Sequence, residues 1–171
     1  MLSPVLFCLY IDDLLVSLCN AGVGWYFGNF FVGALAYADD IVLIAPSASA
    51  LCKMLAICDS FATDYCISFN AKKSKCLVVF PRSKCFLYAQ LSKCVFYVDG
   101  KPVEFVKSYP HLGHIINASM DDTEDISHRR GAFIGQVNNV LCYFNTLNSH
   151  TKYRLFQSYS TSFMVANYGA C

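Results

Sequence analysis

The sequence predicts an α+β fold, an antiparallel sheet with packed helices followed by a purely helical segment. Three observations carry that prediction. Short apolar runs bounded by turn residues alternate with long stretches of 3, 4 spacing over the first 120 residues. An Asp99-Gly100 pair stands between two such runs, the strongest short-range hairpin signal. Beyond the acidic stretch at 121–125 the pattern turns helical throughout. At 171 residues, 56% hydrophobic and 15% aromatic, the chain is too apolar for disorder. A chain of this length buries roughly two thirds of its unfolded surface.

The elements come in order along the chain. LSPVLFCLYIDDLLVSLCNAG opens with Ser3 as a cap and Pro4 at the first helical position, and Gly22 stops it. Phe7, Ile11, Leu14, Leu15 and Leu18 form one stripe, and at about 100° per residue Asp12 and Asp13 point away from it. GALAY and IVLIA read as two strands of a hairpin with Ala38, Asp39 and Asp40 at its tip. A helix comes next, capped by Ser47 or Ser49, with Leu51, Met54, Leu55, Cys58, Phe61, Ala62 and Tyr65 inward. FNAKKSK is a basic loop leading into the strand CLVVF, which Pro81 ends. FYVDGKPVEFV is a hairpin, and YPHLGHIIN is a strand with a turn. Ile126, Phe133, Val137, Val140, Leu141 and Phe144 make the stripe of a further helix, and SHTKYRLFQSYSTSF supplies the last one. The boundary between two parts falls near 121–125.

Charge is segregated although the net value is +1. Residues 1–64 hold a single Lys or Arg, Lys53, against six Asp or Glu, whereas residues 65–110 hold eight basic and two acidic residues. Acidic and basic zones side by side suit metal ions held beside a polyanion, and equally an ordinary solvated surface. No wholly apolar stretch of about 18 residues is present, so a spanning helix is not expected. The first twenty residues lack a basic start and are interrupted by Asp12 and Asp13, which argues against a secretory signal. The ten cysteines contain no Cys-x-x-Cys and fall largely at apolar helical positions. Reduced, buried thiols inside the cell, in nucleus or cytoplasm, are therefore expected, with no disulfide partner and no membrane.

The spelling Tyr-x-Asp-Asp occurs twice, at Tyr10–Asp13 and at Tyr37–Asp40. The first pair lies on the wet face of a helix. The second lies at a hairpin tip inside an oily run. Two carboxylates about 4 Å apart repel by ~4 kcal/mol at an effective dielectric near 20, so a fold that keeps both ionised must supply cations. Mg²⁺ takes one or two protein carboxylates and fills its other positions with water and phosphate oxygens.

Taken together, LSPVLFCLYIDDL, YADDIVLIA, FNAKKSKCLVVF and YPHLGHIIN, in that order, resemble the palm of a reverse transcriptase, specifically the non-LTR retrotransposon type. The resemblance covers residues 2 to about 117, and 126–171, ending in NYGAC, is similar to the thumb and the segment after it. It implies a partial palm at 1–122 and a thumb-like helical segment at 123–171. The implied activity is RNA-directed DNA polymerisation, a two-metal nucleotidyl transfer to a primer 3′ hydroxyl. It makes Asp39 and Asp40 the catalytic residues and ligands of Mg²⁺ (or Mn²⁺), with Tyr37 and Ala38 near the primer end and incoming nucleotide. Asn70, Lys73 and Ser74 match the family's Asn-x-x-Lys-Ser stretch, with Lys73 beside the triphosphate, although Lys73 also reads as one of three solvated lysines. Leu112 and Gly113 match the primer grip, or else mark a simple turn. His111 and His114 read as surface or phosphate-facing residues rather than metal ligands, with no carboxylate or cysteine companion at ligand spacing. The implied partners are an RNA template, a DNA primer and deoxynucleoside triphosphates.

The pattern departs from the family where a third carboxylate, the nucleotide-clamping fingers and a Gln-Gly turn precede the Leu-Ser-Pro segment. The expectation is a polymerase by descent that is inactive as an isolated fragment. The alternative is a degenerate remnant that binds nucleic acid through Lys72 to Lys107 without chemistry. A related maturase or viral RNA-copying polymerase is a third reading.

Overall fold

The computed structural model describes residues 3–79 and 94–158. The fold is α+β, and the chain divides into two compact units, Met1–Val106 and Lys107–Cys171. The first holds α1 (Ser3–Asn20), β1 (Tyr26–Phe27), β2 (Phe30–Phe31), β3 (Ala34–Tyr37), β4 (Asp40–Leu43) and α2 (Ala48–Asp64). It continues with β5 (Lys75–Leu77), β6 (Tyr97–Val98), β7 (Lys101–Pro102) and β8 (Glu104–Val106). The second holds β9 (Ser108–His111), β10 (His114–Asn117), α3 (Thr123–Tyr143) and α4 (Ser149–Phe156). Among the described residues the strands pair as two-stranded ribbons. Four are antiparallel hairpins, and β5 runs parallel to β8, where Lys75 and Glu104 form an ion pair at 2.6 Å.

The core of the first unit is built on α1 and α2. Ile11, Leu14 and Leu18 recur at helical spacing and are buried against Met54, Cys58 and Phe61, with Phe7 and Leu15 half-buried at the rim. Asp12 and Asp13 stand exposed on the other side, as the periodicity requires. α2 starts where the Ser47 hydroxyl accepts the Ala50 amide at 3.2 Å, satisfying one of the orphan donors of the first turn. Its opposite flank, through Ala48, Leu51 and Leu55, packs on a second cluster of Ala71, Phe96, Val98 and Val103. α2 thus lies between two apolar clusters. Each large side chain buried in them stabilises the unit by ~1.5–3 kcal/mol.

The β1–β2 ribbon is tied at its root to β3–β4. Trp25 N–H donates to the Ile44 carbonyl at 3.0 Å, and Ile44 N–H donates to the Gly33 carbonyl at 2.7 Å. The two ribbons approach so closely that a Cβ on Gly33 would meet the Phe31 ring at 2.5 Å and the Trp25 nitrogen at 2.9 Å. The far end of this ribbon is open, with the paired Phe27 and Phe30 each 76% exposed.

In the second unit the predicted stripe of α3 is covered only in part. Phe133, Val137 and Val140 are half-buried, and Phe133 meets Phe156 of α4 edge-on at 6.4 Å. Ile126, Leu141 and Phe144 remain exposed, because a short α4 and one ribbon are all that the described part of this unit offers to cover them. The one buried residue of α3 is a charged one, Arg129, at 5% exposure.

The cysteines also differ from expectation. The eight described ones are unbridged, but only Cys58 is buried, and Cys8, Cys19, Cys52, Cys66 and Cys142 are exposed. Helical periodicity identifies a face but not whether another element covers it. The strand end at Pro81, the basic residues Arg82, Lys84 and Lys93, the last helix beyond 158 and the NYGAC terminus lie outside the described residues.

Candidate active site

The hairpin expected to carry the carboxylates is present. Ala34 to Tyr37 pair with Leu43 to Asp40, which leaves Ala38 and Asp39 as a two-residue connection. Ala38 adopts φ +50°, a left-handed conformation that costs a side-chain-bearing residue about 1–2 kcal/mol. Asp39 therefore sits in the turn itself, and Asp40 opens β4 directly opposite Tyr37. Both carboxylates are exposed, and neither side chain has a hydrogen-bond or ion-pair partner among the described residues. Tyr37 is 66% exposed beside them. Exposed hard oxygen donors of this kind are the chemistry that Mg²⁺ accepts, one or two at a time. Among the described residues, no set of three His, Cys, Asp or Glu could hold a metal ion.

The other Tyr-x-Asp-Asp copy does different work. Ile11 is core, and the residues beside it latch α1 to the end of α2. The Tyr65 hydroxyl donates to Asp13 Oδ2 at 2.9 Å, and the Tyr10 hydroxyl donates to the Tyr65 carbonyl at 2.6 Å. The Tyr65 ring stacks on Phe61 at 4.2 Å. Donation to the Asp13 carboxylate holds the Tyr65 phenol above its ordinary value of 10.0. Asp13 is thus a structural acceptor as well as part of a wet face.

Lys73 lies on a separate turn of the first unit, just ahead of β5. Asn70 organises that turn. Its side-chain oxygen accepts the amides of Lys72 at 3.1 Å and Lys73 at 3.3 Å, and its carbonyl accepts the Ser74 hydroxyl at 3.0 Å. Ala71 is buried, so the turn is pinned to the second cluster while Lys72 and Lys73 face solvent.

Leu112 and Gly113 form the tip of β9–β10 in the second unit. Both have positive φ, +49° and +78°, as a two-residue turn matching the twist of its strands demands. Leu112 is 51% exposed at that tip. His114 lies beside a carboxylate outside ligand spacing in the sequence, its Nδ1 3.3 Å from Asp125 Oδ2. Asp125 Oδ1 also accepts the Ile115 amide at 2.8 Å, and Asp125 Oδ2 lies 2.9 Å from Arg129 Nε. The Ile115 amide, reinforced by Arg129 against the cost of desolvation, holds the Asp125 carboxyl below its ordinary 3.8. Arg129 Nη2 donates to the Gly113 carbonyl at 3.3 Å and abuts His114 Nδ1, a ring nitrogen that accepts from Arg129 in one tautomer and donates to Asp125 in the other. The i, i+4 spacing of Asp125 and Arg129 was the available signal for this cluster. Its burial was not legible, since charged residues at that spacing usually face water.

A family model described as reverse transcriptase (RNA-dependent DNA polymerase) matches residues 1–116, more than half of the chain. The chain belongs to the reverse transcriptase family. Reverse transcriptases act on a template and primer with nucleoside triphosphates and a divalent metal. The exposed carboxylate hairpin, the Asn70 turn and the Leu112-Gly113 turn all fall within the span matched to that family. No curated protein and no solved structure matches the chain. No helix among the described residues is long and apolar enough to cross a membrane.

Proposed function

We propose that this chain carries the palm chemistry of an RNA-directed DNA polymerase of a non-LTR retroelement, with residues 1–122 as palm and 123–171 as the thumb-like segment. The observation that carries the reading is the pair of exposed carboxylates at the tip of β3–β4, without a side-chain partner among the described residues and inside the span matched to the family. Asp39 and Asp40 are the residues that hold Mg²⁺ or Mn²⁺. When bound, such ions activate a primer 3′ hydroxyl and stabilise the leaving oxygen of an in-line phosphoryl transfer. Tyr37 and Ala38 border the primer end and incoming nucleotide. Lys73, on its Asn70-ordered turn, faces the triphosphate, and Leu112 with Gly113 grips the primer.

Among the described residues no third carboxylate joins them, and two alone position a metal poorly, so the chain by itself is expected not to polymerise. That same shortage favours a second reading, a remnant that binds nucleic acid without chemistry. Metal dependence separates the two. Mn²⁺ titrated into the full chain, followed by electron paramagnetic resonance, is expected to show weak binding that Asp39→Ala removes, and primed RNA is expected to stay unextended. Mn²⁺ binding indifferent to Asp39→Ala would refute the metal site. Primer extension that Asp39→Ala abolishes would overturn the inactivity instead.

A further inference from the structure

The one buried charge among the described residues of the second unit, Arg129, stands behind the Leu112-Gly113 turn. Arg129 Nη2 reaches the Gly113 carbonyl and His114 Nδ1, and Asp125 takes the Ile115 amide while pairing with Arg129 Nε at 2.9 Å. Three consecutive residues of the hairpin, 113 to 115, are thereby held from α3. Arg129 is 5% exposed and the Asp125 side chain 13%, so both charges are withdrawn from water and depend on this geometry. A fork of fixed donors suits such a task better than a single ammonium. The turn they hold is not one that Leu adopts freely, since Leu112 lies at φ +49° with its side chain half in solvent.

We infer that Arg129 and Asp125 are positioning residues that lock the β9–β10 turn from behind, so that Leu112 and Gly113 present one fixed surface to a primer–template duplex. The inference rests on reading that turn as the primer grip. Neither residue touches the duplex. Each acts through the turn, and the Arg129 guanidinium stays on the protein side of it.

The test uses the full chain and a fluorescein-labelled RNA template annealed to a DNA primer, followed by anisotropy, with amide hydrogen exchange read at residues 112–115. Arg129→Met keeps the aliphatic stem and removes the fork. Arg129→Lys keeps the ion pair but cannot also hold Gly113 and His114, which guards against an unfolded Arg129→Met. Hydrogen bonds to charged groups are worth enough that each variant should weaken duplex binding about tenfold, and Asp125→Ala, which removes the acceptor of the Ile115 amide, should do the same and accelerate exchange at Ile115. Helical circular dichroism should stay unchanged. Leu112→Asp should weaken binding as much, and the double variant should be no weaker than Leu112→Asp alone, because both changes remove one surface. Unchanged exchange at Ile115, or binding losses that add, would overturn the positioning role while leaving the primer grip standing. If Leu112→Asp left binding unaltered, the primer-grip reading would fall and the positioning role with it.

Discussion

Ala38 offers a test of how tightly the hairpin tip is set. Its φ of +50° places a Cβ where the left-handed region costs about 1–2 kcal/mol. Ala38→Gly removes that strain but gives the unfolded chain more freedom, which costs roughly 0.4–1 kcal/mol. The net effect should be a gain of roughly 0.5–1 kcal/mol in the stability of the first unit. Ala38→Val should lose more than about 1 kcal/mol, since a β-branched residue tolerates this region least. Urea unfolding followed by fluorescence is well placed to measure the series, because the single tryptophan, Trp25, is bonded through its amide to Ile44, the residue immediately after β4. The order Gly, Ala, Val from most to least stable is expected. If Ala38→Gly destabilised the unit, or Val were as stable as Ala, the tip would not be left-handed at 38, and the placement of Asp39 in the turn would be wrong.

Other outcomes come from the core and from the titrating groups. Leu14→Ala, at a fully buried site, should cost the first unit about 2–5 kcal/mol in the same urea assay, whereas Val16→Ala, at 49% exposure, should stay within about 0.5 kcal/mol. Because the Asp125 carboxyl is held below 3.8 in the fold, its contribution to the second unit is full above that pH and is lost as pH falls through the lower, folded value. Urea titrations at neutral and strongly acid pH should show that loss in the wild type and a smaller one in Asp125→Asn; equal losses would contradict the linkage. Burial, reinforced by the neighbouring Asp59, pushes the Cys58 thiol up to about 12, so a thiol reagent should label Cys8, Cys19, Cys52, Cys66 and Cys142 quickly and Cys58 only on unfolding. Fast labelling of Cys58 in the native chain would show that the α1–α2 core opens.

The first unit was largely legible because its signals are local. The stripe of α1, the Ser47 cap of α2, the Asp99-Gly100 turn and the carboxylate hairpin each declare themselves within a few residues. The features that were not legible depend on partners distant in sequence. The parallel pairing of β5 with β8 joins residues 29 apart, and no periodicity marks it. The stripe of α3 predicted a covered face, yet Ile126 and Leu141 stay in solvent while Arg129 goes inside. The Asp125–Arg129 cluster was invisible for a related reason. Its partners are the Gly113 carbonyl, the Ile115 amide N–H and the His114 imidazole of the β9–β10 hairpin, and charge spacing alone predicts only a surface pair. Within the candidate site, the order and residue types of the motifs were readable, whereas the strained φ at Ala38 and Leu112 was not.

The clamp on the Leu112-Gly113 turn also has a consequence in time. Arg129 comes 16 residues after Gly113, so a ribosome adding about 5–20 residues per second delivers the hairpin roughly 1–3 s before the side chain that fastens it. A hairpin zips in about 1–10 μs, and an isolated one is marginal in water. β9 and β10 must therefore open and close many thousands of times on the nascent chain before α3 arrives. The turn is completed in a second act of synthesis, and a pause placed between codons 113 and 129 would lengthen the interval in which its strand edges are open to other chains.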